Sequence, residues 1–384
     1  MTPLMQQDIK MHLKLNVIQW VHRATRGWSY GSSIIDPRTG EIIKGHVTLG
    51  SLRVRQDILI AESLAAPYLK GNEVASTLHA MALDRIRQLS AHEIGHTLGI
   101  AHNFAASVNN RASVMDYPHP LLSFADNGQL DVSDGYAKGM GAWDTQVIKY
   151  GYSDFTGQDE SAALAAILQQ NKAQGLAFIS DSDARAKGGA HPTAHLWDNG
   201  SNPSEELLRV LDVRKQALGQ FGINNIKTGV ALSQLEEKLV PLYLFHRYQV
   251  EAVAKLIAGV DYDYEIRSDA PVKGAQVVTK EVQQQAVNAT LATLIASNLT
   301  LPESILSLIV PKAYGESKSR ESIVGRTGLT MDALALPEVA AQHSLSLLLN
   351  AQRLNRLAQQ QARDNRFYSL DELLKQLNKK VFNV

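Results

Sequence analysis

Three histidines and a glutamate lie within one short segment of this chain, and their spacing constrains how the segment folds. The segment reads HEIGHTLGIAH over residues 92–102. Residues four apart project from one face of an α-helix, so His92 and His96 could bind the same zinc ion. Gly99 can adopt the left-handed conformation that ends a helix, and the returning chain could then supply His102 as a third ligand. Three neutral imidazoles leave the fourth position of a tetrahedral zinc open, which is typical of catalytic sites.

The residue after the first histidine has the acid–base chemistry that such a site needs. Glu93 stands beside His92, where its carboxylate could contact a water at the metal rather than the metal itself. Apolar residues with helical spacing precede it and predict a buried helix, at Leu78, Ala82, Ile86 and Leu89. The alternative is scattered histidines, since the chain has 12 of them. A chance match to three His, one Glu and one Gly at set spacings is on the order of one in ten thousand, so we favour the metal site.

The absence of cysteine narrows the kind of metal site that the chain can form. With no Cys among 384 residues, disulfides, iron–sulfur clusters, thiolate zinc sites and a cysteine nucleophile are excluded. The 38 basic and 38 acidic residues balance, which gives no general attraction to nucleic acid or anionic membranes. No apolar run approaches the ~18 residues that span a bilayer, and the N-terminus lacks the features of a secretory signal. We therefore expect a soluble chain with no nucleic-acid partner, no membrane span and no export signal of its own.

The first part of the chain has the pattern of a small β-sheet. Residues 16–22 are strand-compatible, and residues 28–35 and 41–49 flank Asp-Pro-Arg-Thr-Gly, which suits a type I turn closed by a left-handed glycine. We predict a β-hairpin there. We interpret residues 41–50 as the strand at the rim of the cleft, whose edge an extended peptide could join by main-chain hydrogen bonds. Helical spacing follows at about 54–64 and 74–98.

After Pro203 the pattern is almost entirely helical. Asn202 before Pro203 resembles a capped helix start, and Ser369 with Glu372 resembles a capping box before the last helix. The amphipathic stretches cover about 204–221, 232–259, 277–299, 336–364 and 369–381. One of them carries a single apolar stripe, at Leu347, Ala351, Leu354, Ala358 and Ala362. We predict an α+β domain over residues 1–200, with a small twisted sheet and a central helix, and a mostly α-helical domain over residues 201–384.

Two further groups of polar residues receive structural interpretations. Residues 126–134 are acidic but lack the spacing of a calcium-binding loop, so we predict Asx-turn chemistry there. His191 and His195 are four apart but adjoin Pro192. We predict that they cap or pack a loop rather than form a second metal site.

HEIGHTLGIAH resembles the extended zinc-binding motif of the metzincin metallopeptidases, which implies a metzincin-like catalytic domain. These enzymes also have a tight turn with a methionine beneath the metal, and SVMDYP at residues 113–118 resembles this turn. The resemblance implies that Met115 forms the floor of the site without binding zinc, the alternative being a core-filling role. In astacin-like and serralysin-like members, a tyrosine two residues later can bind the metal or stabilise the transition state. Carried over to Tyr117, this implies an oxyanion-stabilising phenol, and the alternative is a half-buried tyrosine that anchors the turn.

A closer resemblance covers residues 16–212. WVHRATRGWSYG (20–31), the segment 35–57 and HPTAHLWDNG (191–200) resemble the large bacterial zinc-dependent metalloproteases that carry a metzincin-like catalytic domain. Members of that family are usually longer and exported, with further upstream regions. The resemblance implies an exported or periplasmic location. It also implies that this sequence is a C-terminal portion, whose upper active-site lobe an upstream region would complete.

Together these observations predict a zinc-dependent metallopeptidase that hydrolyses peptide bonds in a peptide or protein substrate. One zinc ion per chain would be bound by His92, His96 and His102. Glu93 would take the proton of the attacking water and pass it to the leaving amine. The alternative is a truncated or degenerate module that binds zinc and peptide with little or no turnover. A helical scaffold with incidental metal binding is the third alternative, which requires the motif to lie on an exposed, unsupported helix.

Overall fold

A β-hairpin and one further strand form a small sheet in the first part of the chain. The computed structural model describes residues 13, 15–22, 28–72, 76–267 and 272–382. Strand β1 spans Val17–Val21, β2 spans Tyr30–Ile35 and β3 spans Ile42–Gly50. The strands lie in the order β1-β3-β2, with β1 parallel and β2 antiparallel to β3. The predicted strand at 16–22 and the predicted hairpin are therefore confirmed.

The side chains of the turn itself hold the hairpin together. The carboxylate of Asp36 accepts hydrogen bonds from the backbone and side chain of Arg38. Gly40 takes the left-handed conformation at φ 76°, and its N–H donates to the carbonyl of Asp36. This is the turn that the sequence predicts, with glycine at the position where a side chain would be strained.

The strand predicted for the rim of the cleft is not an edge strand. Residues 41–50 were expected to offer a free edge, but β3 is the central strand and is paired on both sides. Within the described residues, β2 pairs with β3 alone. That expectation is wrong because β1, which precedes the hairpin, pairs in parallel with β3 and covers the side that the hairpin leaves open.

Two helices follow the sheet and pack against it. Helix α1 spans Leu52–Ala65 and α2 spans Ser76–Thr97, close to the predicted bounds. Val47 and Leu49 of β3 pack on Leu89 of α2. Gly31 lets β2 approach α2 closely, because a Cβ atom there would lie 1.9 Å from the carbonyl oxygen of Glu93. The motif helix is thus supported by the sheet rather than standing alone.

Short elements and irregular chain connect α2 to the helical half. They are β4 (Ser123–Phe124), β5 (Leu130–Asp131), α3 (Ala142–Tyr152), α4 (Glu160–Ala173) and α5 (Asp181–Ala184). Between β4 and β5, the side chain of Asn127 accepts a hydrogen bond from the N–H of Gln129, and Gly128 is left-handed at φ 75°. The predicted Asx-turn is therefore confirmed at this position.

The second half of the chain is helical, as predicted. Its elements are α6 (Pro203–Gln220), α7 (Leu235–Tyr243), α8 (Arg247–Leu256), β6 (Val260–Asp261), β7 (Gln276–Val277), α9 (Lys280–Ala292), α10 (Ala296–Leu299), α11 (Glu303–Leu306), α12 (Ala335–Leu348), α13 (Ala351–Arg363) and α14 (Leu370–Phe382). The side chain of Asn202 caps α6 through the N–H groups of Ser204 and Glu205. Ser369 and Glu372 form the predicted capping box.

Three of the predicted long helices are broken. The stretch 336–364 divides between Leu348 and Ala351, because the side chain of Asn350 accepts a hydrogen bond from the N–H of Arg353 and starts a new helix. The continuous apolar stripe predicted from Leu347 onward is therefore wrong. The stretches 232–259 and 277–299 also divide, into α7 and α8 and into α9 and α10.

The largest buried apolar cluster joins the two halves of the chain. Leu64 of α1 and Met81 of α2 belong to the same cluster as Val210 of α6 and Leu239 of α7. The helical half therefore packs directly behind the motif helix. The division into domains at residue 200 stays a prediction. Within the described residues, none of the helices combines the length and apolarity that a bilayer crossing needs.

Candidate metal centre

The three motif histidines converge on one point. His92 and His96 project from the last turns of α2, and the Nε2 atoms of the two rings lie 3.1 Å apart. The Nε2 atom of His102 lies 3.1 Å from that of His96. A tetrahedral zinc with Zn–N distances of about 2.1 Å holds its nitrogens about 3.4 Å apart. These two separations are close to the spacing around one zinc ion, and the three side chains form a group that could hold a metal.

The outer nitrogen of each ring is bonded to an oxygen acceptor. The Nδ1 atom of His92 lies 2.7 Å from the carbonyl oxygen of Val114, and that of His96 lies 2.9 Å from the carbonyl oxygen of Ile100. The Nδ1 atom of His102 lies 2.8 Å from Oδ2 of Asp181. Because these oxygens accept, each Nδ1 carries the hydrogen and each Nε2 keeps a free lone pair. Three lone pairs directed at one another need a cation between them, so the donor set fits zinc.

Burial favours the neutral form of His92 and His96. It lowers the pKa of His92 to about 3, and the neighbouring His96 adds to this effect. Burial also lowers the pKa of His96. Neutral imidazole is the form that binds a metal, so the environment prepares these two ligands at ordinary pH.

The end of α2 places the third histidine. Gly99 is left-handed at φ 80°. The N–H of Ile100 donates to the carbonyl of Gly95, and the N–H of Gly99 donates to that of His96. This pair of bonds is the Schellman motif, which reverses the chain after a helix. The carbonyl of Ile100 then returns to the ring of His96, so the turn also orients a ligand.

The segment predicted to form the Met-turn packs against the last turns of α2. Met115 is buried, and its sulfur would lie 2.3 Å from a Cβ atom placed on Gly95. Glycine at position 95 therefore makes room for the methionine, a role that the spacing of the motif does not reveal. The turn is held by Asp144 of α3, whose carboxylate accepts from the hydroxyl of Ser113 and the N–H of Val114.

Glu93 lies where β2 meets α2. The N–H of Gly31 donates a hydrogen bond to its carboxylate. Burial raises the pKa of Glu93 to about 7, while the hydrogen bond from Gly31 and the positive charge of Arg85 oppose that rise. A carboxyl group in this range can exchange a proton near neutral pH, as a general base and acid must.

Tyr117 stands in the wall of the centre. Its ring centre lies 5.4 Å from that of His92 and 4.9 Å from that of His102. The rings of Phe104 and Trp197 pack against it on other sides. Burial raises the pKa of its phenol, so the hydroxyl keeps its hydrogen at neutral pH. The structure thus brings Tyr117 to the triad.

Asp181 is a residue of the centre that sequence reasoning missed. It starts the short helix α5, and its carboxylate orients the ring of His102 from 79 positions further along the chain. No spacing rule links an aspartate to a histidine over such a distance. The only available signal was the general one that a metal-binding histidine needs a partner for its outer nitrogen.

The other histidine pair is not part of this group of ligands, and the predicted loop packing is confirmed for His191. His191 is buried, and its Nε2 atom lies 2.8 Å from the carbonyl oxygen of Tyr262. His195 is also buried and lies 3.5 Å from the carboxylate of Glu251. Among the residues that the structure describes, the motif triad is the one group of three or more possible ligands close enough to share a metal.

The comparisons with known proteins address the family of the chain. No curated protein matched it, and no solved structure did. Residues 75–384 match the family model described as Met-zincin, a match that includes α2, all three histidines, the Met-turn and the helical half. These residues make up most of the sequence, and the metzincin-like, α+β character predicted for the chain is confirmed. The chain therefore belongs to the Met-zincin family.

Proposed function

We propose that this Met-zincin is a zinc-dependent endopeptidase that hydrolyses peptide bonds in protein substrates. One observation carries the proposal: three imidazole Nε2 atoms converge beside a buried carboxylate, while each outer nitrogen is held by an oxygen acceptor. His92, His96 and His102 would hold one zinc ion. When bound, zinc polarises the scissile carbonyl and lowers the pKa of a water molecule.

The proton is moved by Glu93. Its carboxylate accepts the proton of the attacking water, and the resulting carboxylic acid delivers it to the leaving amine nitrogen. The raised pKa of Glu93 supports this role, since a group near neutrality both accepts and releases a proton readily. Gly31 holds the carboxylate in place through its N–H.

The phenol of Tyr117 stabilises the negative charge that develops on the carbonyl oxygen. Its position against His92 and His102 supports this role, because a hydroxyl there adjoins the reacting group. The alternative, in which Tyr117 only anchors the turn, predicts no effect of Tyr117→Phe on turnover.

Strand β2 is the proposed docking strand for the substrate. It contacts Glu93 through Gly31, and in the described part of the sheet it pairs only with β3. An extended peptide added to this edge would lie beside the three histidines. This assignment replaces the rim strand that the sequence suggested at residues 41–50.

The test combines metal content with hydrolysis of casein, an unstructured protein. The wild-type chain should carry about one zinc ion and cleave casein, and His96→Ala should lose the metal because a central ligand is gone. Glu93→Gln should keep zinc while hydrolysis falls by a factor on the order of a hundred. Full zinc retention by His96→Ala, or zinc loss by Glu93→Gln, contradicts the assigned roles.

A zinc- and peptide-binding module with little turnover is the second candidate. It is favoured by the small size of the sheet, which leaves Ile18 of β1 and the nearby Trp28 exposed to solvent. Three strands are near the minimum for a stable sheet, and a mobile docking strand would position a substrate poorly. Covering of this sheet by an upstream region stays a prediction, as does an exported location. Zinc binding without casein hydrolysis would support this candidate.

A further inference from the structure

Arg185 contacts two parts of the metal centre at once. It follows α5 directly, and its side chain forms an ion pair with Oδ1 of Asp181, whose other oxygen orients His102. Its guanidinium carbon lies 5.3 Å from the ring centre of Tyr117. The guanidinium also hydrogen-bonds to the hydroxyl of Tyr117. The side chain is 46% exposed, so part of it is open to solvent.

The direction of the hydrogen bond to Tyr117 follows from the chemistry of the two groups. A guanidinium group has only N–H donors and no acceptor, whereas a phenol has one hydrogen to donate and an oxygen that accepts. In this contact the oxygen of Tyr117 must therefore accept. The phenolic hydrogen is then available for a third group.

The packing of Tyr117 leaves its hydroxyl as the part that still needs orienting. The ring is enclosed by His102, Phe104 and Trp197, with centre-to-centre distances of 4.9, 5.3 and 5.1 Å. These contacts fix the plane and the axis of the ring. They do not fix the rotation of the O–H bond, which depends on the direction from which the phenol oxygen accepts a hydrogen bond.

We propose that Arg185 is a positioning residue that acts through Tyr117: it occupies the acceptor side of the phenol oxygen, so that the hydroxyl donates its hydrogen to the oxygen of the reacting carbonyl. This inference rests on the proposed peptidase function. The positive charge of Arg185, held close to the phenol, also favours the negative charge that develops on the carbonyl oxygen. Asp181 holds the guanidinium through its ion pair.

The competing explanation is that Arg185 acts through Asp181 and His102. An arginine that only supports the third ligand would change metal affinity, since residues that orient metal ligands typically affect binding of the metal. An arginine that acts through Tyr117 would leave metal affinity almost unchanged. Zinc affinity therefore separates the two explanations without any measurement of turnover.

The experiment uses Arg185→Gln, Arg185→Lys, Tyr117→Phe and the double variant of Arg185→Gln with Tyr117→Phe. Arg366→Gln is the matched control, because Arg366 forms an exposed ion pair with Asp364 far along the chain. Three quantities are measured for each: zinc affinity by chelator competition, kcat and KM on a fluorogenic peptide, and Kd for an alanyl phosphinic peptide. The phosphinate imitates the tetrahedral species formed from the carbonyl, so its affinity reports the oxyanion contact.

We expect Arg185→Gln to lower kcat and phosphinate affinity by about 10- to 100-fold, with zinc affinity and KM within about threefold of wild type. Tyr117→Phe should cause a similar loss. The double variant should be no worse than Tyr117→Phe alone, because the arginine has nothing left to orient. Arg185→Lys should recover part of the loss, and Arg366→Gln should match wild type.

Two outcomes would overturn the inference. If the fold losses in kcat and phosphinate affinity of the two single variants multiply in the double variant, the arginine acts independently of Tyr117. Loss of zinc from Arg185→Gln would place its action on Asp181 and His102. Failure of the proposed peptidase function can be told apart from failure of this inference. The first would appear as no casein hydrolysis by the wild-type chain, whereas the phosphinate affinities of the variants test the role of Arg185 separately.

Discussion

Gly31 is the residue at which the sheet meets the motif helix. A methyl group there would lie 1.9 Å from the backbone oxygen of Glu93, an atom that cannot move without bending α2. We expect Gly31→Ala to separate β2 from α2 and to lower the free energy of unfolding by about 1–3 kcal/mol. The rate of casein hydrolysis should fall by more than the loss of folded protein explains, because the N–H that holds the Glu93 carboxylate moves away. Zinc content should be unchanged, since no ligand lies on the sheet.

The matched control for this change is Gly50→Ala. Gly50 ends β3, and a Cβ atom there would meet no other atom within 4 Å. Urea denaturation, zinc analysis and casein hydrolysis are compared for the two variants. If Gly31→Ala hydrolyses casein as fast as Gly50→Ala, the contact between β2 and α2 is not part of the working site.

At this scale, sequence reasoning identified residues whose spacing is local. His92, Glu93 and His96 share one helix, and His102 follows one tight turn, so periodicity and a glycine were enough to place them together. Asp181 and Arg185 come to the same centre through a long irregular segment, whose path no short-range pattern specifies. Local geometry can be predicted from residue spacing, whereas a contact made through tertiary packing cannot.

At the scale of elements, the Met-turn depends on helix α3. The carboxylate of Asp144 accepts three hydrogen bonds, from the hydroxyl of Ser113 at 2.6 Å, the N–H of Val114 at 2.9 Å and the N–H of Gly141 at 2.7 Å. Asp144→Ala would leave these three donors without their acceptor, two of them in buried positions. We expect a loss of about 2–4 kcal/mol in the free energy of unfolding.

The same change should weaken zinc binding, because the carbonyl of Val114 orients the ring of His92. We expect zinc affinity to fall by about 10- to 100-fold, as is typical when the partner of a ligand is displaced. Asp154→Ala is the control, since the carboxylate of Asp154 also accepts two bonds, both from Thr156, but in an exposed turn. Equal zinc affinities for the two variants would contradict this role of α3.

The elements divide in the same way as the residues, into those set by local sequence and those set by tertiary contacts. The hairpin turn and the caps at Asn202 and Ser369 were predictable, because side chains a few positions apart determine them. The break at Asn350 was missed, since an asparagine within an apolar stripe can either continue a helix or cap a new one. The position of β3 in the sheet depends on the pairing of β1, which adjacent sequence does not specify.

At the scale of the whole molecule, the helical half supports the metal centre from two directions. Met81 of α2 shares a buried cluster with helices α6 and α7. Tyr262 and Tyr264, on the chain that follows α8, donate hydrogen bonds to Asp183 of α5, the helix that carries Asp181. Both the motif helix and the partner of His102 thus rest on residues beyond 200. Sequence periodicity predicted the helices but did not identify the residues that make these contacts.

Buried titratable groups make the stability of the molecule depend on pH in two opposing ways. Burial lowers the pKa of His92 and His119 to about 3 and that of His195 to about 4. Between the unfolded pKa of about 6.5 and the folded pKa of each imidazole, only the unfolded chain binds the extra proton. The contribution of these groups to stability is therefore lost progressively as pH falls through that range. Burial raises the pKa of Asp198 to about 7, so the stability linked to its protonated form is lost as pH rises toward 7.

His119 offers the cleanest test of this dependence. It packs on Phe245, and the positive charges of Arg247, Arg53 and Arg209 reinforce the effect of burial in lowering its pKa. Without zinc, wild-type stability should fall as pH decreases from about 6.5 toward 4. His119→Gln should show a shallower fall, by up to about 1.4 kcal/mol per pH unit, because one proton fewer is taken up on unfolding. Urea denaturation at several pH values in EDTA measures this, with His79→Gln, an exposed histidine on α2, as control. Parallel pH profiles for wild type and His119→Gln would show that His119 does not bind the extra proton.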